Sequence, residues 1–165
     1  MIYLGLFSNK NDIMREFQIS RDKDSYPDEE DIDVYSSRFD EFNQYEILLA
    51  WYQYEDYSGS AFVLLHKDSK FYEVTGSHCS CMGLEDQFSP EPVSLEYLRE
   101  KAKNGFYYDE CDDVKSIKSF LLEIISVAEK LGEEEFLKDI SKNMYKHSPL
   151  YKKYCIDNMG KELLD

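Results

Sequence analysis

A chain of 165 residues that is 42% hydrophobic and 15% aromatic can bury one core, so a single domain is expected over 1–165, with a sheet-containing part at 1–105 and a helical part at 106–165. Its 34 acidic residues against 19 Lys and Arg leave a formal charge of -15, a field that repels a phosphate backbone and argues against direct nucleic-acid binding. No apolar run approaches the roughly 18 residues of a membrane span, and Met1 to Phe7 carries neither a basic start nor a small-residue cleavage site, so a cytoplasmic protein is expected. In that compartment Cys79, Cys81, Cys111 and Cys155 stay reduced.

Residues 2–7 read as a short strand. Ser8 and Asn9 are candidate caps for a helix that carries Ile13, Met14 and Phe17 on one face, with Asp12 suited to its positive end. From Arg21 to Asp33 the chain is polar, with Pro27 as a breaker, and an exposed loop is expected. Asp28, Glu29, Glu30, Asp31 and Asp33 crowd together there and form the candidate partner-binding surface, suited to a protein with a basic face.

The middle of the chain reads as β. Tyr45 to Tyr54, Ala61 to Lys67 and Phe71 to Thr75 are rich in aliphatic and aromatic side chains without polar alternation, the pattern of strands covered on both faces. Asp68-Ser69 links the last two as a hairpin, and Asp56-Tyr57-Ser58-Gly59-Ser60 joins the first two, with Gly59 expected at positive φ. Trp51, Tyr52, Tyr54 and Tyr57 are expected to cover half-buried sheet surface, or else to supply a binding hot spot.

After the connector Ser89-Pro90-Glu91-Pro92, Ser94 reads as an N-cap, Val93 and Leu98 as a hydrophobic staple and Gly105 as the helix end. Val114, Ile117, Leu121, Ile124, Ala128 and Leu131 then alternate in steps of three and four, capped by Asp112 or Asp113 and ended by Gly132. Phe120 and Ile125 widen this stripe beyond a coiled-coil seam, which favours packing on a sheet over a zipper. A further helix carries Phe136, Ile140 and Met144, and a last one runs from Ser148-Pro149 to near Gly160. Strands and helices segregate, so the fold class is α+β: an antiparallel β-sheet covered by helices, with a helical C-terminal portion. A homo-oligomer would form through that helical half.

Ionisable chemistry concentrates between Gly76 and Gln87. Zn²⁺ would take His78, Cys79 and Cys81, with Cys111, His66 or Glu85 completing four ligands, although the Cys-x₂-Cys spacing is absent and adjacent His78 and Cys79 point apart on extended backbone. A thiol enzyme would use Cys79 or Cys81 as nucleophile, His78 or His66 as base and Glu85 or Asp86 to orient it. The nearby acids raise a thiol pKa, so neither cysteine is expected to be unusually reactive. In a purely structural role the cysteines pack as small apolar residues in a rigid turn beneath the sheet, and His78 bonds backbone carbonyls.

Tyr54-Glu55-Asp56-Tyr57-Ser58-Gly59-Ser60-Ala61-Phe62-Val63-Leu64, then Phe71-Tyr72-Glu73-Val74, then Gly76-Ser77-His78-Cys79-Ser80-Cys81-Met82-Gly83-Leu84-Glu85-Asp86-Gln87-Phe88 together resemble a family of small proteins encoded by bacteriophages and prophages. Asp12-Ile13-Met14-Arg15-Glu16-Phe17 is similar to that family too, and the likeness covers most of residues 7–98. The family usually carries an aromatic residue at the place of Met82 and often Trp at that of Phe88. The resemblance implies a phage setting and carries no catalytic role. With the acidity, it leads to the expectation of a phage accessory protein, not an enzyme and without a cofactor, that binds and inhibits a host protein as an anti-defence factor or DNA mimic. The alternative is a metal- or thiol-dependent enzyme centred on His78, Cys79 and Cys81, with zinc as its metal.

Overall fold

A computed structural model describes residues 1–19, 38–106 and 112–159. The acidic cluster Asp28, Glu29, Glu30, Asp31 and Asp33 lies outside the described residues, as do Cys111 and Gly160. Strands β1 (Ile2–Gly5), β2 (Glu46–Glu55), β3 (Ser58–Lys67), β4 (Lys70–His78) and β5 (Glu91–Val93) form one sheet in the order β1-β2-β3-β4-β5. The helices are α1 (Lys10–Glu16), α2 (helical residues 38–42), α3 (Leu95–Asn104), α4 (Asp112–Leu131), α5 (Glu133–Lys138), α6 (Ile140–His147) and α7 (Pro149–Met159). This is an α+β fold with its helices concentrated in the C-terminal part. The sheet is mixed rather than antiparallel throughout. Tight turns force β2, β3 and β4 to pair antiparallel, whereas β1 and β5 arrive through longer connections that impose no such direction. Among the described residues no helix is long and apolar enough to cross a membrane.

The chain divides into two compact units, residues 3–92 and residues 93–165 with Met1 and Ile2. In the first, Asn9 Oδ1 caps α1 by accepting from the N–H groups of Asn11 (2.8 Å) and Asp12 (3.2 Å). That sets Ile13 and Phe17 into a core with Phe7, Ile19, Phe42, Tyr45, Leu84 and Phe88 against one face of the sheet. The face itself is Ile47, Ala50 and Tyr52 of β2, Ala61, Val63 and Leu65 of β3, and Val74 of β4. Strict alternation would put Ile47 and Ala50 on opposite faces. A register shift between Ile47 and Leu49 absorbs the extra residue as a bulge and returns both to the core side. On the other face Leu49, Trp51, Phe62, Leu64 and Phe71 are buried too, which is why the strands read as continuous apolar runs.

The hairpin at Asp68-Ser69 forms as expected, and the turn before β3 differs from the expectation in one respect. The positive φ falls on Asp56 (46°) and Tyr57 (70°), and again on Asp68 (50°) and Ser69 (60°), the pattern of two-residue turns whose twist matches that of the strands. Gly59, expected in the turn, instead lies inside β3 and pairs with His78.

In the second unit α4 packs against α3, α5, α6 and α7. Its stripe of Val114, Ile117, Leu121, Ile124 and Ala128 is buried, and so are the flanking Phe120 and Ile125. Ser94 Oγ caps α3 on the Tyr97 N–H (3.1 Å), and Gly105 closes it with its N–H on Lys101 O (2.8 Å). Ser148 Oγ caps α7 on the Tyr151 N–H (3.0 Å), with Pro149 in the first turn. The helix expected through Phe136, Ile140 and Met144 is two helices. Asp139 leaves helical geometry at φ -152° and caps α6 through Oδ1 on the Lys142 N–H (3.1 Å). Asn143 Nδ2 donates to the carbonyls of Glu135 (3.0 Å) and Phe136 (3.1 Å), which satisfies the end of α5.

Candidate functional site

The register of β3 against β4 sets Gly59 opposite His78, and a Cβ on Gly59 would stand 2.1 Å from His78 Nε2. The imidazole therefore lies across the one residue in that strand position with no side chain. There Nε2 comes to 2.8 Å from Tyr52 Oη, and Nδ1 to 2.9 Å from the Cys79 carbonyl. A carbonyl only accepts, so Nδ1 carries the proton and, in the neutral ring, Nε2 accepts from the Tyr52 hydroxyl. Tyr54 stacks on the same ring, with centroids 5.2 Å apart and planes inclined by 21°. Burial, then the nearby Glu16, Tyr54 and Glu85, hold the Tyr52 hydroxyl above its ordinary pKa, which keeps it a donor. A metal on His78 would have to break one of these bonds.

Beyond His78 the chain leaves the sheet and is refastened five ways. Gly76 leaves room for Leu84, whose Cδ2 would be 2.8 Å from a Cβ there, and Leu84 is fully buried. Gln87 spans the loop, accepting from the Ser77 N–H and donating to the Gly83 carbonyl, each at 2.9 Å. Glu85 Oε2 accepts from the Gly83 N–H at 2.6 Å. Asp86, at φ 62°, pairs with Arg38. Phe88 then meets Phe17 and Phe42 edge-on at 6.0 and 5.2 Å.

On this base Cys79, Ser80, Cys81 and Met82 stand exposed. Cys79 and Cys81 are both free thiols, which corrects the expectation that they pack beneath the sheet. The residue the loop turns inward is Leu84, and its remaining closures are hydrogen bonds of Gln87 and Glu85. The expected direction of thiol acidity is corrected as well. The Cys79 pKa is lowered, chiefly because the Cys81 backbone N–H hydrogen bonds its sulfur and also because the Cys81 thiol does. The carboxylates expected to raise it are turned elsewhere, Glu85 onto Gly83 and Asp86 onto Arg38.

The other named candidates are dispersed. His66 sits about 23 Å along β3 from Gly59 at a rise of about 3.3 Å per residue, and its Nε2 bonds Glu46 at 2.8 Å. Cys155 is buried in α7. Among the described residues no three His, Cys, Asp or Glu side chains converge to hold a metal ion.

A surface the sequence reading left undivided also emerges here. Trp51 and Tyr52 are buried, but Tyr54 is 49% exposed, Tyr57 73% and Met82 68%. Because Gly59 pairs with His78, the turn carrying Tyr57 and the loop carrying Met82 lie at the same end of the sheet. Glu55, Asp56 and Asp86 are exposed around them. The signal available was the position of Tyr57 beside Asp56 at the hairpin turn, where a large side chain has nothing to pack under. No family model, curated protein or solved structure matches this chain.

Proposed function

We propose that this is an acidic binding protein that docks on the basic face of a partner protein through the sheet end bearing Tyr54, Tyr57 and Met82. In the phage setting that the sequence resemblance implies, the partner is a host protein whose activity the docking blocks. One observation carries the reading: three large apolar side chains stand in solvent on a frame whose other aromatic groups are mostly buried. Aromatic and Met side chains ringed by polar groups are the anatomy of interface hot spots. The exposed Glu55 and Asp56 and the charge of -15 add attraction for a basic partner.

The test is affinity for the protein captured from a host extract by the immobilised full chain. Tyr57→Ala should weaken it by about 2 kcal/mol, roughly 30-fold, and should leave the fold intact because Tyr57 packs on little. The captured protein should lose its own activity in the complex, and duplex DNA should compete if the acids imitate a phosphate backbone. A captured partner that is itself acidic, or that binds the Tyr57→Ala, Met82→Ala double variant unchanged, defeats the reading.

A further inference from the structure

Two exposed thiols separated by one residue share a turn formed by Ser80 and Cys81. Two residues of extended chain span about 7 Å between Cα atoms, at the limit for a disulfide, and a turn shortens that separation. The Cys81 backbone and thiol also favour the ionised form of Cys79 and lower its pKa. Ser80 Oγ lies 3.8 Å from Cys81 Sγ. The base beneath them is held by Leu84, Gln87 and Glu85, and the Cys79 carbonyl is fixed by His78 Nδ1. Bond formation at the tip therefore leaves the rest of the molecule undisturbed.

We propose that Cys79 and Cys81 are a dithiol that reduces disulfides by exchange, with Cys79 as the attacking sulfur and Cys81 as the resolving one. The Cys79 thiolate attacks one sulfur of a disulfide RSSR, forming a Cys79–SR mixed disulfide and expelling RS⁻, which takes up a proton. Cys81, losing its proton to solvent, attacks the Cys79 sulfur and expels the second RS⁻. The balance is two protein thiols oxidised to one disulfide and RSSR reduced to two RSH. Cys81 follows in the same turn, and its backbone and thiol favour a thiolate at Cys79, which makes Cys79 the attacking sulfur and Cys81 the resolving one. With only two sulfur donors at the tip and both His78 nitrogens engaged, exchange suits the site better than a four-ligand zinc centre.

The experiment mixes the reduced full chain with oxidised glutathione, and separately with insulin as a protein disulfide, and maps the cysteines by mass spectrometry. Expected is a Cys79–Cys81 disulfide with two thiols released per chain and Cys155 untouched. Reaction with glutathione alone marks small-molecule disulfides as the substrate, and reaction with insulin as well marks protein disulfides. Cys81→Ser should stall as a one-to-one mixed disulfide on Cys79, and Cys79→Ser should react more slowly. Both side chains are exposed, so the variants should melt with the wild type. The proposal is overturned if wild type itself stalls as a mixed disulfide, if either cysteine pairs with Cys111, if the two variants react equally fast, or if the protein resists oxidation until a chelator is added.

Discussion

Replacing Gly59 by Ala asks whether the His78 ring is held where the structure puts it. In an ordinary strand interior the change should stabilise by about 0.4–1 kcal/mol, because the unfolded chain loses freedom. Here the new methyl would stand 2.1 Å from Nε2, 2.7 Å from Cδ2 and 2.9 Å from Cε1 of the imidazole. A rigid ring cannot yield by bending its tip, so it must rotate away and give up its bonds to Tyr52 and to the Cys79 carbonyl. Each is worth about 1 kcal/mol, and the part-buried Tyr52 hydroxyl left without its acceptor costs about another 1. The net effect is destabilisation by about 2–3 kcal/mol, or a fall in Tm of roughly 4–12 °C for a chain of this length. Urea and thermal unfolding followed by circular dichroism measure it. In a His78→Ala background the same substitution should be neutral or mildly stabilising, giving a coupling energy of about 2–4 kcal/mol in the double-mutant cycle. A Gly59→Ala protein that melts at or above the wild type, or a penalty that persists without His78, would refute the argument.

Alkylation with iodoacetamide, resolved by site, should modify Cys79 ahead of Cys81 near neutral pH. The sign follows from the lowered Cys79 pKa: the thiolate survives to lower pH in the folded chain, and unfolding in urea should move the Cys79 profile up toward that of an ordinary thiol. Equal profiles, or Cys81 leading, would contradict that direction. Leu84→Ala removes the fully buried anchor of the loop and should cost about 2–5 kcal/mol in urea unfolding, whereas a loss below about 1 kcal/mol would mean that the loop is held by its polar contacts alone. Association with the proposed basic partner should slow as ionic strength rises, since screening sets in over about 10 Å at 0.1 M, and neutralising Asp28, Glu29, Glu30, Asp31 and Asp33 should flatten that dependence. An on-rate in stopped flow that ignores both salt and those five acids would show that they do not steer association.

Features legible in the chain were those decided by near neighbours. Asn9, Ser94 and Ser148-Pro149 cap helices because their partners lie two or three residues away, and the stripe of α4 is a matter of steps of three and four. The strands were readable because burial on both faces leaves uninterrupted apolar runs. What the loop does was settled by residues far apart in sequence. Tyr52 meets His78 across 26 positions, and Arg38 meets Asp86 across 48; composition near the cysteines suggested that carboxylates would suppress their acidity, but those distant and backbone partners claim the carboxylates instead. Gly59 looked like a turn glycine because glycine tolerates positive φ, and only the register of β3 against β4 shows that its missing Cβ seats an imidazole. The bulge at Leu48 and the break at Asp139 belong to the same class. A short-range pattern states which face a residue prefers, whereas which strand neighbour lies opposite it depends on the pairing of whole strands, and that pairing together with the distant partners of the loop sets the two thiols on an exposed tip.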